Sequence, residues 1–163
     1  MAQIVKLKKE DKGRVRALEL FIIKEYMESI LKRKWEELSP EFVEQLGATN
    51  DQAFKLYLES GLSYVAKEDD QIVGFIFAQK VQHMSNIPLS VWIESIGVHP
   101  SHRRQGIGYQ LLRKVSLEAK KQGAKAVQSA IMPENAVSLM LHKKLGFFLD
   151  ARRIAFLDLD TFK

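Results

Sequence analysis

Val91-Trp92-Ile93-Glu94-Ser95-Ile96-Gly97-Val98-His99-Pro100-Ser101-His102-Arg103-Arg104-Gln105-Gly106-Ile107-Gly108 is an apolar run that ends in a basic, glycine-containing turn. Residues 91–98 read as a strand, and residues 107–119 repeat apolar side chains at helical spacing. A turn of this kind aims backbone N–H groups and a helix N-terminus at one spot. It therefore suits a phosphate or pyrophosphate. Gly123 ends the helix, and residues 126–131 alternate as a further strand. Strand, helix, strand implies a right-handed crossover with the two strands parallel.

Outward from this unit the elements change type. Residues 4–7 read as a short first strand. Val15, Leu18, Phe21 and Ile22 recur at helical spacing, and Met27, Ile30, Leu31, Trp35 and Leu38 extend the pattern into a second helix. Ser39-Pro40-Glu41 is an N-cap followed by Pro at the first helical position, with Gly47 at the far end. Thr49-Asn50-Asp51-Gln52 has the form of a capping box opening a helix that ends near Gly61. Residues 62–67 and 72–80 are strand-like runs around a hairpin turn at Asp69-Asp70. Residues 85–88 read as a loop. Pro133-Glu134-Asn135 opens a last helix closed by Gly146, and residues 147–158 hold one or two further strands. The expected architecture is α/β: a mixed, mostly antiparallel sheet with helices on both faces.

The chain's 163 residues suit one domain, 1–163, with a real core. No apolar run approaches the roughly 20 residues that span a bilayer, and the first residues lack the apolar core of a signal peptide. The expectation is a cytoplasmic protein with no membrane partner. Cys is absent, which excludes disulfides, thiolate metal sites and a Cys nucleophile. The net charge of +5 suits a polyanionic ligand, but the lysines are scattered and solubility accounts for most of them.

The turn fits neither of two common phosphate motifs. A dinucleotide fingerprint needs a third glycine, and Gly106-Ile107-Gly108-Tyr109-Gln110-Leu111 lacks it. A P-loop needs Gly-Lys-Ser/Thr, which does not occur. The plain alternative is a turn whose glycines only satisfy positive φ.

Arg103-x-x-Gly106-x-Gly108 resembles the Arg/Gln-x-x-Gly-x-Gly/Ala signature of the Gcn5-related N-acetyltransferase (GNAT) family. The preceding residues 94–100 look like that family's fourth strand and exit turn. Asn135, eleven residues before Gly146-Phe147, is similar to its Asn…Gly-Phe ending. The resemblance covers residues 72–147. It implies the GNAT fold, acetyl-CoA as donor, and transfer to an amine of a small molecule or peptide, with a homodimer common in the family. It also implies that the amides of Arg104, Gln105, Gly106, Ile107, Gly108 and Tyr109 hold the pyrophosphate, with Arg103 and Arg104 adding charge. Ile96, Gly97 and Val98 would pair with the pantetheine arm, and Asn135 would contact the cofactor or cap its helix.

Glu94, by strand alternation, shares a face with Trp92, Ile96 and Val98. A carboxylate among apolar neighbours has a raised pKa and serves as a base. The alternative is a wetted or ion-paired Glu. His142 stands where the family usually has Tyr as proton donor to the thiolate. It is either that acid or a structural residue, with Tyr109 as the other candidate phenol. His99 and His102 lack companions at ligand spacing, so no metal is expected. Glu25, Glu28, Glu36 and Glu37 hint at a cationic acceptor. Two rival classes remain, a CoA-binding sensor without turnover and a nucleic-acid-binding domain. The second lacks aromatic platforms and recognition motifs, so no nucleic-acid partner is expected.

Overall fold

Two strand-forming runs on either side of Asp69-Asp70 set the sheet. In the computed structural model, which describes residues 1–162, they are β2 (Tyr64–Glu68) and β3 (Gln71–Met84). Asp69 and Asp70 both take left-handed φ, 46° and 65°, which matches the twist of a two-residue hairpin. Ser85 and Asn86 do the same between β3 and β4 (Ile87–Val98). The expected loop 85–88 is therefore a tight turn. Ile87 already pairs with Met84. With β1 (Gln3–Lys6) and β5 (Ala126–Ser129) the sheet order is β1-β2-β3-β4-β5. Only β4 and β5 are parallel, so the sheet is mixed and mostly antiparallel.

Among the described residues there are five α-helices: α1 (Lys12–Ser29), α2 (Pro40–Gln45), α3 (Asp51–Ser60), α4 (Ile107–Lys121) and α5 (Ala136–Leu145). On one face of the sheet, Val15 and Leu18 of α1 and Phe54 and Tyr57 of α3 meet Val65, Phe75 and Phe77. On the other, Ile107, Leu111, Leu112 and Val115 of α4 cover Tyr64, Ile76, Ala78, Val91 and Ile93, with Leu141 and Leu145 of α5 at the margin. Each such side chain, fully buried, contributes about 1.5–3 kcal/mol. No helix is long and apolar enough to cross a membrane among the described residues.

Polar contacts pin the α2–α3 loop to α1. Glu19 is fully buried and accepts from the amides of Ala48 at 2.7 Å and Thr49 at 3.0 Å, and from the Thr49 hydroxyl. Burial pushes its carboxyl above the usual range, opposed by these bonds and by Arg16. Arg16 in turn donates to the carbonyls of Leu46 at 2.6 Å, Val43 at 2.9 Å and Glu44 at 3.0 Å.

Three segments depart from the sequence reading. The apolar spacing of residues 27–38 makes no second helix. The chain leaves α1 after Ser29, Lys32 takes φ 55°, and only Trp35–Glu37 forms a single 3-10 turn. Thr49 does not cap α3, because its hydroxyl is drawn to Glu19. Asn50 caps instead, accepting from the Ala53 amide at 2.9 Å. No strand follows α5 among the described residues. The alternating tail meets no sheet edge, and Phe148 and Phe156 are 87% and 89% exposed.

Candidate active site

β4 and β5 run side by side from Ser90↔Ala126 to Ile93↔Ser129 and then part. β4 continues to Val98 with β3 as its only strand neighbour among the described residues. The main chain from Glu94 to Val98, including Ile96 and Gly97, thus presents an open edge, the feature an extended ligand pairs with. Sequence could not show this parting, since residues 130–131 alternate as well as 126–129 do.

Register with β3 shifts at the same place: Ile93 faces Ala78 while Ser95 faces Phe77. Glu94 is the extra residue of a β-bulge. The bulge resets the alternation, so Ile96 and Val98 pack with Val91 and Ile93 against the α4 side. This corrects the expected face shared by Glu94, Ile96 and Val98. Glu94 is exposed rather than buried among apolar neighbours, and its carboxylate accepts from the Trp92 indole N–H at 3.0 Å. Nearby lies Tyr57, whose phenol is pushed up to about 12 by burial, then by the charges of Glu94 and Glu19.

Beyond the open edge comes the turn. Arg104 takes φ 60° and Gly106 φ 82°. α4 starts after Gly106 with no side-chain cap, so its first amides, from Ile107 to Tyr109, point into the turn without helical partners. Gln105 donates back to the Ser101 carbonyl at 3.3 Å. Gly108 is needed for space: a Cβ there would lie 3.3 Å from Leu141 and 3.7 Å from Val98. Arg103 points elsewhere. Its guanidinium forms a two-pronged pair with Glu25 of α1, and its Nε donates to the Val98 carbonyl at 3.0 Å. That pairing holds the Glu25 carboxyl below the usual range. Arg103 is thus held between the turn and α1, and Arg104 stands at the turn itself.

The acidic hint from α1 and its exit also changes. Glu25 is paired with Arg103, and Lys24 lies 3.8 Å from Glu28 and 3.2 Å from Glu36. Three of the four carboxylates have a cation within reach, and the single Lys24 ammonium serves two of them. Burial, and then the charge of Glu134, raise the Tyr26 phenol pKa.

Asn135 caps α5: its carboxamide oxygen accepts from the Ser138 amide at 3.1 Å. His142 is fully buried, with Phe147 packed edge-on at 4.9 Å between ring centroids. Its Nδ1 faces the Ser138 carbonyl at 2.8 Å and so carries the hydrogen, leaving Nε2 to accept from the Ser129 hydroxyl at 3.0 Å. Burial pushes its pKa below the ordinary imidazole value. The imidazole thus gives its one hydrogen to the Ser138 carbonyl and leaves a bare Nε2 toward β5, an arrangement unlike the donor geometry expected of it. Ser129, the last paired residue of β5, was missed by sequence reading because nothing marks it among the chain's other serines. His99 and His102 share the Ser101 hydroxyl, at 2.7 and 2.8 Å. Among the described residues no group of three or more such side chains is placed to hold a metal ion.

Residues 3–163 match the family model described as "Protein of unknown function (DUF1999)". The chain is 33% identical over 89 residues to aminoglycoside N(6')-acetyltransferase type 1 of Salmonella typhimurium, covering 52% of this chain and 61% of that protein. It is 38% identical over 58 residues to the L-methionine sulfoximine/L-methionine sulfone acetyltransferase of the same organism, covering 36% and 34%. The chain thus spans only part of the length of the curated relatives it matches. Among solved structures, the aminoglycoside N-acetyltransferase AAC(6')-Iy in complex with CoA superposes with TM-score 0.72 at 23% identity, covering 98% of this chain and 95% of that one. That likeness shows the fold.

Proposed function

This chain belongs to the DUF1999 family and has the Gcn5-related N-acetyltransferase fold, and on that premise we propose that it transfers an acetyl group from acetyl-CoA to a primary amine. The observation that carries the reading is the parting of β4 from β5 immediately before the uncapped start of α4. The open edge of residues 94–98 suits the amide-bearing pantetheine arm. The amides from Arg104 to Tyr109 suit the pyrophosphate. The whole of residues 1–163 acts as one catalytic domain.

Acetyl-CoA supplies an acetyl group activated as a thioester. Everything else falls to the chain. An acceptor ammonium, with an ordinary pKa of about 10.4, must lose a proton before it can attack. The exposed Glu94 carboxylate, oriented by Trp92, takes that proton directly or through a water. The free amine attacks the thioester carbonyl carbon in a ternary complex, and the C–S bond breaks. A main-chain N–H of the open edge, at Ile96 or Val98, steadies the oxygen as it gains charge. The thiolate leaves and takes up, through water, the proton that the acylated nitrogen sheds; the one N–H of His142 is held by the Ser138 carbonyl. Ser129 and His142 hold β5 to α5 where the strands part.

A second copy of this chain covers the tail in this reading. Ile154, Phe156, Leu157 and Leu159 are exposed, as are Val137 and Met140 on α5, apolar surface that a partner copy would remove from water. Light scattering during size exclusion should give twice the monomer mass, falling to monomer in Phe156→Asp.

The test of the activity is thiol release from acetyl-CoA over a panel of amino acids, polyamines, aminoglycosides and peptides, with Glu94→Gln beside wild type. Amine-dependent release that Glu94→Gln loses, with acetyl-CoA affinity kept, supports the mechanism. An unchanged pH–rate profile in Glu94→Gln removes Glu94 from it. Binding without release for any amine leaves a CoA sensor.

A further inference from the structure

We propose that Lys144, held over Tyr109, receives the 3′-phosphate of coenzyme A together with Arg113. The site would then select the full coenzyme over its dephospho form. The inference rests on the acetyl-CoA reading above and assigns a part of the ligand which that reading leaves without a partner.

Charge is segregated around the turn. Residues 95–117 and 135–149 contain no acidic residue, in a chain with 20 Asp and Glu. The two segments carry Arg103, Arg104, Arg113, Lys114, Lys143 and Lys144. Arg103 is spent on Glu25, and the Lys114 ammonium sits over the Tyr64 ring at 5.5 Å. Arg104, Arg113, Lys143 and Lys144 form no ion pair among the described residues, although ion pairs are frequent elsewhere.

The two segments meet at the start of α4. A Cβ on Gly108 would be 3.3 Å from Leu141 of α5, so the helices touch there. At the next residue, the Lys144 ammonium lies 5.5 Å from the Tyr109 ring centroid, a cation–π contact that steers the lysine toward the turn. Arg113, which is exposed, follows the half-buried Tyr109 by four residues and so stands on the same side of α4. The dipole of α5 accounts in part for Lys143 and Lys144 in its last turn. It does not account for Arg113, which stands in mid-helix. Like charges gathered without counter-charges repel, and a bound polyanion relieves that repulsion. Coenzyme A carries more negative charge than its pyrophosphate. The 3′-phosphate is close to dianionic at neutral pH and offers three acceptor oxygens, a match for Lys144 and Arg113.

The experiment is calorimetric titration of the full chain with CoA and with dephospho-CoA, at two salt concentrations, on wild type and Lys144→Met/Arg113→Met. Thermal melting confirms that the variant is folded. The expected result is CoA bound about tenfold or more tightly than dephospho-CoA by wild type. That preference should shrink with salt and vanish in the variant, whose dephospho-CoA affinity stays near the wild-type value. Equal affinities in wild type, or a preference that survives in the variant, overturn this inference and leave the acetyl-CoA reading standing. If neither ligand binds wild type, both fall together.

Discussion

Replacing Gly97 by alanine puts a methyl group where β4 meets α1. A Cβ there would lie 2.7 Å from Ile22 Cδ1 and from Phe75 Cζ, and 2.9 Å from Phe75 Cε1. Carbon atoms in good contact sit about 3.5–4.0 Å apart. Phe75 is 1% exposed and its ring centroid is 5.2 Å from that of Phe77, itself fully buried, so it has nowhere to go. Ile22 is half-buried and can turn its Cδ1 aside, so the strain falls on Phe75. Overpacking of this kind costs about 1–3 kcal/mol. For a domain of this size each kcal/mol lowers Tm by about 2–4 °C, which places the loss between about 2 and 12 °C. Gly13→Ala makes the same chemical change within α1, and there the new Cβ meets nothing within 4 Å. It should stabilise by about 0.4–1 kcal/mol, because alanine has less freedom to lose on folding. Circular-dichroism melts and urea titrations of both variants measure the difference directly. Opposite signs support the packing argument. A Gly97→Ala protein whose Tm lies within about 1 °C of wild type would refute it.

Further outcomes follow from other contacts. Burial depresses the pKa of His142, so the folded state refuses a proton that the unfolded chain accepts. The sign is that of a stabilisation fully present above the unfolded value of about 6.5 and lost as pH falls through the folded one, about 1.4 kcal/mol for each unit between them. Tm against pH should fall below about pH 6.5 in wild type, and His142→Gln should lack that component. Thr49→Val removes the hydroxyl that donates to buried Glu19 and should cost about 1.5–3 kcal/mol by urea denaturation. Arg103→Lys keeps the charge but not the two-pronged grip on Glu25 or the bond to the Val98 carbonyl. An exposed pair is worth little, so Tm should move by less than the equivalent of about 1 kcal/mol, while acetyl-CoA affinity falls as the turn loosens.

The elements most legible in the sequence are those with local signals. The hairpin at Asp69-Asp70, the caps at Ser39 and Asn135, and the strand–turn–helix from Val91 to Ala119 each carry their cause within a few residues. What escaped depends on distant partners. The bulge at Glu94 exists only in register with Phe77 and Ala78 of β3, and alternation alone therefore put Ile96 and Val98 on the wrong face. Thr49 matched a capping box, but Glu19, thirty residues earlier, claimed its hydroxyl. The pairing of Arg103 with Glu25, 78 residues earlier on α1, has no local signal either. Ser129 became a site residue only because His142 folds back onto it. The apolar spacing of residues 27–38 had no face of the sheet left to cover. In the tail after Phe147, strand-forming residues were present but no edge met them.

Calorimetric titration of the full chain with acetyl-CoA measures whether the parting of β4 and β5 holds that ligand. One saturable site per chain is expected, displaced by CoA and weakened when Gly108→Val fills the space against Leu141 and Val98. Absence of saturable binding, or binding that Gly108→Val leaves unchanged, would contradict the acetyl-CoA reading.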